Sequence, residues 1–350
     1  AVLFYIFERP LDKHLTTLKK HLLEAERQDV PVLIQLDPVT FWDGVPELWN
    51  WFDKGISGYD ESNRENVEWT SWSSADAVKL GWLNWGSQIR LKPMANLFSE
   101  KYQNAVRERM TTLLGTLSNW YKSLPENKKY LFGGVKITGE LCMGLNNWYY
   151  TGGNELYDKP KENDPTTGIN MWNKPSRSRA AAGQPGAVST IGYASVKSAG
   201  IKTEGTLTGA DIEEMDRRFT LFVSDIALEY GFPRDKVFAH AGGADGDLAA
   251  CVNEKVCPSW SLYHSEAMNP QSNSPYCMKL IRQSDAPAWG AAEWAVDGSA
   301  QDWTTALRNT FAVDRCRFIS VYTNVIGNNN GTTVNDAAVQ GIKTVQKDKY

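Results

Sequence analysis

Short apolar runs rich in β-branched and aromatic residues alternate along the chain with longer stretches whose apolar positions recur every three to four residues. That alternation is the pattern of βα units around a parallel sheet. A strand is predicted at 3–7, then a helix at 11–28 in which Leu15, Leu18 and Leu22 keep one apolar face, then a second strand at 32–36. A long Trp-rich excursion over 38–82 precedes a third strand at 87–91 and a helix at 100–123, which Leu124-Pro125 ends. The fourth strand, 131–138, runs into a stretch rich in Gly, Asn, Pro and Ser that reaches about residue 205 and reads as a large loop. Thr208 opens a helix predicted to reach Tyr230, with acidic residues in its first turn where the helix dipole favours them. Strands five to eight are predicted at 237–240, 259–263, 288–292 and 318–322, with helices at 248–255, 303–313 and 334–346 between or after them. Eight strands alternating with helices predict an α/β protein, a (β/α)8 TIM barrel with long loops after strands two and four. No repeat, low-complexity tract or linker divides it, so residues 1–350 are expected to form one catalytic domain.

In such a barrel the active site lies at the carboxyl ends of the strands, so the polar residues that close each apolar run are the candidates. They are Asp37, Arg90 and Lys92, Glu140, His240, Tyr263, His264 and Glu266, Glu293, and Tyr322 with Asn324. Glu140 follows Gly139, and Glu293 lies between Ala292 and Trp294, settings of small and aromatic residues that suggest a crowded pocket. Strands four and seven lie three apart around a ring of eight, so these two carboxyl groups can face each other across the mouth. Glycosidic cleavage needs one carboxyl group to protonate the leaving oxygen and another to attack or to activate water. A Glu at a strand end can also be only the ion-pair partner of a nearby Arg or Lys.

Through Gly139-Glu140-Leu141 and Ala292-Glu293-Trp294 the chain resembles the large clan of retaining glycoside hydrolases with a (β/α)8 barrel, whose acid/base Glu ends strand four and whose nucleophile Glu ends strand seven. The resemblance implies that Glu140 is the acid/base, that Glu293 is the nucleophile, and that Tyr263 or His264 orients the nucleophile. Two positions depart from the clan: Gly139 stands where Asn is usual, and Tyr322 where Trp is frequent. The function expected is hydrolysis of a polysaccharide or oligosaccharide, with retention and endo action. The alternatives are an inverting or unusual glycosidase using another pair among Asp37, Asp245, Glu266 and Glu293, and a carbohydrate-binding barrel without catalysis.

Composition adds to this. Fourteen Trp and fourteen Tyr, many beside Asn, Gly or Asp, are either core plugs or platforms for sugar rings. Trp42, Trp85, Trp148 and Trp294 are candidate subsite walls. Asp37 before Pro38 either binds a hydroxyl group or starts an Asx-type turn. Arg90 would suit an anionic substituent such as a sulfate or uronate. His240, followed by two glycines and Asp245, is either a hydrogen-bonded structural residue, a metal ligand or a base. No phosphate loop or nucleophile elbow is present, so no cofactor is expected, and no Cys/His spacing suggests a metal. A net charge of −4 with scattered basic residues argues against nucleic acid, and no apolar run of about 18 residues predicts a membrane span. Of five cysteines, Cys251 with Cys257 and Cys277 with Cys316 are spaced for bridges, buried thiols being the other reading. Trp content and cysteine count suggest a secreted protein, although the chain opens in a strand-like run with no signal peptide; Asn330-Gly331-Thr332 is a glycosylation sequon.

Overall fold

The structure, a computed structural model, describes residues 1–7, 10–39, 42–84, 88–141, 143, 147–161, 188–242, 245–322 and 336–348. In chain order the strands are β1 (Val2–Ile6), β2 (Val32–Asp37), β3 (Gly81–Asn84), β4 (Gln88–Leu91), β5 (Phe132–Lys136), β6 (Asn147–Tyr150), β7 (Val188–Ser189), β8 (Val237–Ala241), β9 (Cys257–Tyr263), β10 (Trp289–Ala295) and β11 (Cys316–Val321). Seven of them form one sheet in the order β1-β2-β5-β8-β9-β10-β11, every neighbouring pair parallel.

The long helices are α1 (Leu11–Gln28), α2 (Glu100–Ser123), α3 (Gly209–Leu228), α4 (Pro275–Gln283), α5 (Ala300–Phe311) and α6 (Asp336–Asp348). In α1 the residues His14, Leu18, Leu22 and Ala25 share the buried face, the spacing an amphipathic helix requires. Ser99 caps α2, and Thr208 with Asp211 closes a capping box on α3, which satisfies backbone N–H groups the first turn leaves free. The predicted helix at 248–255 is only the turn Asp245–Ala249. No helix among the described residues is long and apolar enough to cross a membrane.

The seven-stranded sheet is curled into a half-barrel. Phe238 of β8 meets Phe318 of β11 edge to face, 4.8 Å between ring centres. In a flat sheet strands three places apart lie about 14 Å apart. Gly290 makes room for this contact, since a Cβ there would come within 2.2 Å of the Phe318 ring. These rings, with Cys257, Ala286 and Ala288, floor the concave side, while a larger core fills the space between the convex side and the helices.

The expected barrel of eight strands is seen in part, as seven parallel strands curled into a half-barrel. Among the described residues β1 and β11 are the two edges of the sheet, and β2 lies directly beside β5. The run predicted as the third barrel strand is β4, which pairs antiparallel with β3 in a separate sheet of order β4-β3-β6-β7. Three residues separate β3 from β4, and parallel neighbours need a crossover of about a dozen residues or more. This second sheet is built from the excursions that leave the carboxyl ends of β2 and β5. Glu68 ties them together: its buried carboxylate accepts the backbone N–H groups of Gly192, Ala194 and Ser195 at 2.9, 3.3 and 3.1 Å.

The expected disulfides are also corrected. Neither Cys251 with Cys257 nor Cys277 with Cys316 forms a disulfide; Cys142 lies outside the described residues. Cys257 belongs to the concave floor and Cys251 to the convex core, on opposite sides of the sheet.

Candidate active site

Both predicted carboxylates stand at irregularities in strand pairing. Lys136 of β5 pairs with Phe238 of β8, and the next bridge joins Leu141 to Ala241. Five steps on one side thus match three on the other, and the two extra residues loop out with Glu140 among them. The Thr138 hydroxyl holds the gap, accepting from the His240 N–H at 2.6 Å and donating to the His240 carbonyl at 2.8 Å. On β10, Ala291 pairs with Trp260 and Glu293 with Ser261, so Ala292 is one residue in excess. One extra residue exchanges the faces of everything beyond it. It turns Glu293 to the concave side, in line with Ser261 and Tyr263, and sends Trp294 into the convex core against Trp303.

Around Glu140 the concave side supplies a run of polar groups. Ser261 Oγ donates to Glu140 Oε1 at 2.6 Å, and His240 Nε2 lies 3.0 Å from Ser261 Oγ and 4.0 Å from Glu140 Oε1. Lys136 Nζ lies 3.0 Å from His240 Nδ1, and both residues are almost fully buried. Tyr263 donates its phenolic hydrogen to Glu293 Oε2 and packs edge to face with Tyr322, 6.2 Å between ring centres. The Asp37 carboxyl group faces Gly139, where a Cβ would come within 2.7 Å of it. Asp37 therefore fills the space a larger residue at 139 would need.

The electrostatics separate these groups. Burial, and then the charge of Glu293, push the Glu140 carboxyl up to about 7, against the pull of Ser261 and Lys136. Burial lowers Lys136 to about 8, although Glu293, Glu140 and Asp37 all favour its charged form. His240 is held well below its ordinary value by burial and by Lys136, so it is neutral at physiological pH. Burial and the Glu293 carboxylate keep the Tyr263 phenol protonated.

Of the residues the sequence singled out, Asp37, Glu140, His240, Tyr263, Glu293 and Tyr322 are brought together on the concave side. Others are elsewhere. Trp42, Trp148 and Trp294 are 5, 1 and 0% exposed, which corrects their expected role as sugar platforms: the rings of Trp42 and Trp294 pack on Tyr102 and Trp303, and Trp148 pairs with Trp82 across β6 and β3. Arg90 is buried and donates to the carbonyls of Leu156, Tyr157 and Lys159, so its guanidinium clamps a turn. His264 leaves β9 with φ 50° and points into solvent, where it pairs with Asp297 at 2.6 Å; Tyr263 alone of the two reaches Glu293. Asp37 also accepts the Val39 N–H at 2.9 Å, the Asx-type turn that was one of its two readings. Glu266 is exposed on the short helix Ser265–Met268. Trp85, Asn324, the sequon at Asn330 and the Asp245 side chain lie outside the described residues. The described residues hold no group of three or more His, Cys, Asp or Glu placed to bind a metal ion.

Lys136 and Ser261 were missed: Ser261 lies inside β9, and Lys136, the last residue of β5, lies inside the longer strand predicted at 131–138. A signal existed for the first: a Lys in the apolar run Gly-Gly-Val-Lys-Ile needs a buried partner.

No known family model and no curated protein matches the chain. Among solved structures, the catalytic domain of a beta-amylase from Paenibacillus polymyxa is similar over 96% of this chain and 95% of its own, at 10% sequence identity and a TM-score of 0.45.

Proposed function

We propose that the chain is a retaining glycoside hydrolase, with Glu140 as general acid/base and Glu293 as nucleophile. The observation that supports it is a pair of electrostatically coupled glutamates on one concave surface, each placed by a strand irregularity, with one held protonated up to near neutral pH and the other held by a phenol. A carboxyl group kept protonated by burial, beside a second carboxyl group held by a phenol, suits a division of roles into acid and nucleophile. Glu140 transfers its proton to the glycosidic oxygen as the bond to the anomeric carbon breaks. Glu293 forms the new bond to that carbon through Oε1, since Oε2 accepts from Tyr263. Glu140, now a carboxylate, takes a proton from the water that releases the sugar, which restores both groups. Tyr322 stands beside Tyr263 as an aromatic wall. The excursions beyond β2 and β5 leave from the end of the sheet where Glu140 sits, and favour endo action on a polysaccharide.

The test is a screen of neutral, uronic and sulfated polysaccharides with reducing-end detection. Glu140→Gln and Glu293→Gln are each expected to lower kcat by about 100-fold to 10,000-fold while leaving the fold intact by circular dichroism. Proton NMR of the first-formed anomer should show retention. Wild-type rates in both variants would overturn the assignment, inversion would overturn the covalent route, and sugar binding without product would make the chain a binding protein.

A further inference from the structure

We propose that Lys136, His240 and Ser261 form a one-way hydrogen-bond relay that keeps the acid proton of Glu140 on Oε2 and sets the pH at which that proton is lost. The direction follows from donor chemistry. An ammonium group has donors only, so Lys136 Nζ, 3.0 Å from His240 Nδ1, must donate to it. That leaves the proton of the neutral imidazole on Nε2, which donates to Ser261 Oγ at 3.0 Å. The Ser261 hydroxyl hydrogen is then free to point only at Glu140 Oε1, 2.6 Å away. Every link is a donor aimed from the buried cation toward the carboxyl group. Oε1 is an acceptor in both protonation states, and the transferable proton sits on Oε2.

The relay acts against two other influences. Glu140 is faced by Glu293 from β10 and Asp37 from β2, which both disfavour its ionisation, and by Lys136 from β5, which favours it. His240 on β8 is neutral and Tyr263 on β9 is protonated, so neither adds a charge. The cation and the Ser261 hydroxyl are thus what keeps the carboxyl group from holding its proton too tightly to give it up. All three relay residues are positioning residues, and no substrate need touch them.

The catalytic meaning of the relay rests on the glycosidase reading, but the relay itself is measurable without substrate. The carboxyl carbon of Glu140 in protein labelled with ¹³C-glutamate, identified by its loss in Glu140→Gln, is titrated by NMR in the full chain. Ser261→Ala and Lys136→Met should each raise its midpoint by about one pH unit, the size of one charge-assisted hydrogen bond. Ser261→Thr, which keeps the hydroxyl, should return it to the wild-type position, a rescue that a packing role would not produce. The alkaline limb of kcat/KM should move with the midpoint. An unmoved midpoint in Ser261→Ala overturns the relay even where sugar hydrolysis is confirmed. A midpoint that moves in a protein with no activity on any polysaccharide upholds the relay and removes the glycosidase reading. Should Lys136→Met fail to fold, the Ser261 pair decides.

Discussion

Glu140 shows how a single carboxyl group links the chemistry of this protein to its stability. Its proton is held in the folded state up to about pH 7, whereas an exposed Glu releases it near 4.5. Folding therefore takes up a proton between those values. The stabilisation from this group is complete below pH 4.5 and is lost as pH rises through 7. Stability by urea unfolding should fall over that window by at most about 3 kcal/mol, and Glu140→Gln should flatten the curve. A wild-type curve that rises from pH 5 to 7 would contradict this. The six residues that meet on the concave side were legible in the sequence because each closes or follows an apolar run. Lys136 and Ser261 were not, because each lies within a predicted strand, and a residue there reveals its face only once the irregularities beyond it are known. The departure at Gly139 has a spatial cause: Asp37 occupies the room beside it.

At the scale of elements, α1 and α2 fall at the residues their apolar periodicity predicted, 11–28 and 100–123. Periodicity is a property of the segment itself, so it is visible without partners. Strand position was nearly as clear, but strand partnership was not: the alternation at 88–91 is the same whether the neighbour is β2 or β3. The surplus residue Ala292 was invisible for the same reason, since an extra residue is defined only against the strand opposite. Burial of tryptophans was the other hidden quantity. Trp294 sits in the convex core with its indole N–H on Thr310 Oγ1 at 3.1 Å, so Trp294→Ala should cost about 3–5 kcal/mol in chemical unfolding. Tyr322→Ala, at a site 39% exposed, should instead raise KM for the best polysaccharide and leave the unfolding midpoint nearly in place. The reverse pattern would show that the platforms had been misassigned.

Among the described residues the sheet has two edges, β1 and β11. Val2 and Phe4 on β1 are 42 and 49% exposed, and no strand among the described residues joins β1 to β11. Edge strands open more readily than central ones, so backbone amides of β1 and β11 should exchange with deuterium faster than those of β8 and β9. Equal protection across all seven strands would mean that the edges are covered. A closed barrel is a hoop, and its girth cannot change without breaking a strand pairing; a half-barrel is a horseshoe. Here the two glutamates hang from β5 and β10, and the strands between them, β8 and β9, carry His240, Ser261 and Tyr263. The gauge between the carboxyl groups is therefore set at the keel of the horseshoe, while the width of its opening is set at the tips. On the proposed function, a polymer that widened the opening would strain the pairings of β1 and β11 before it altered that gauge.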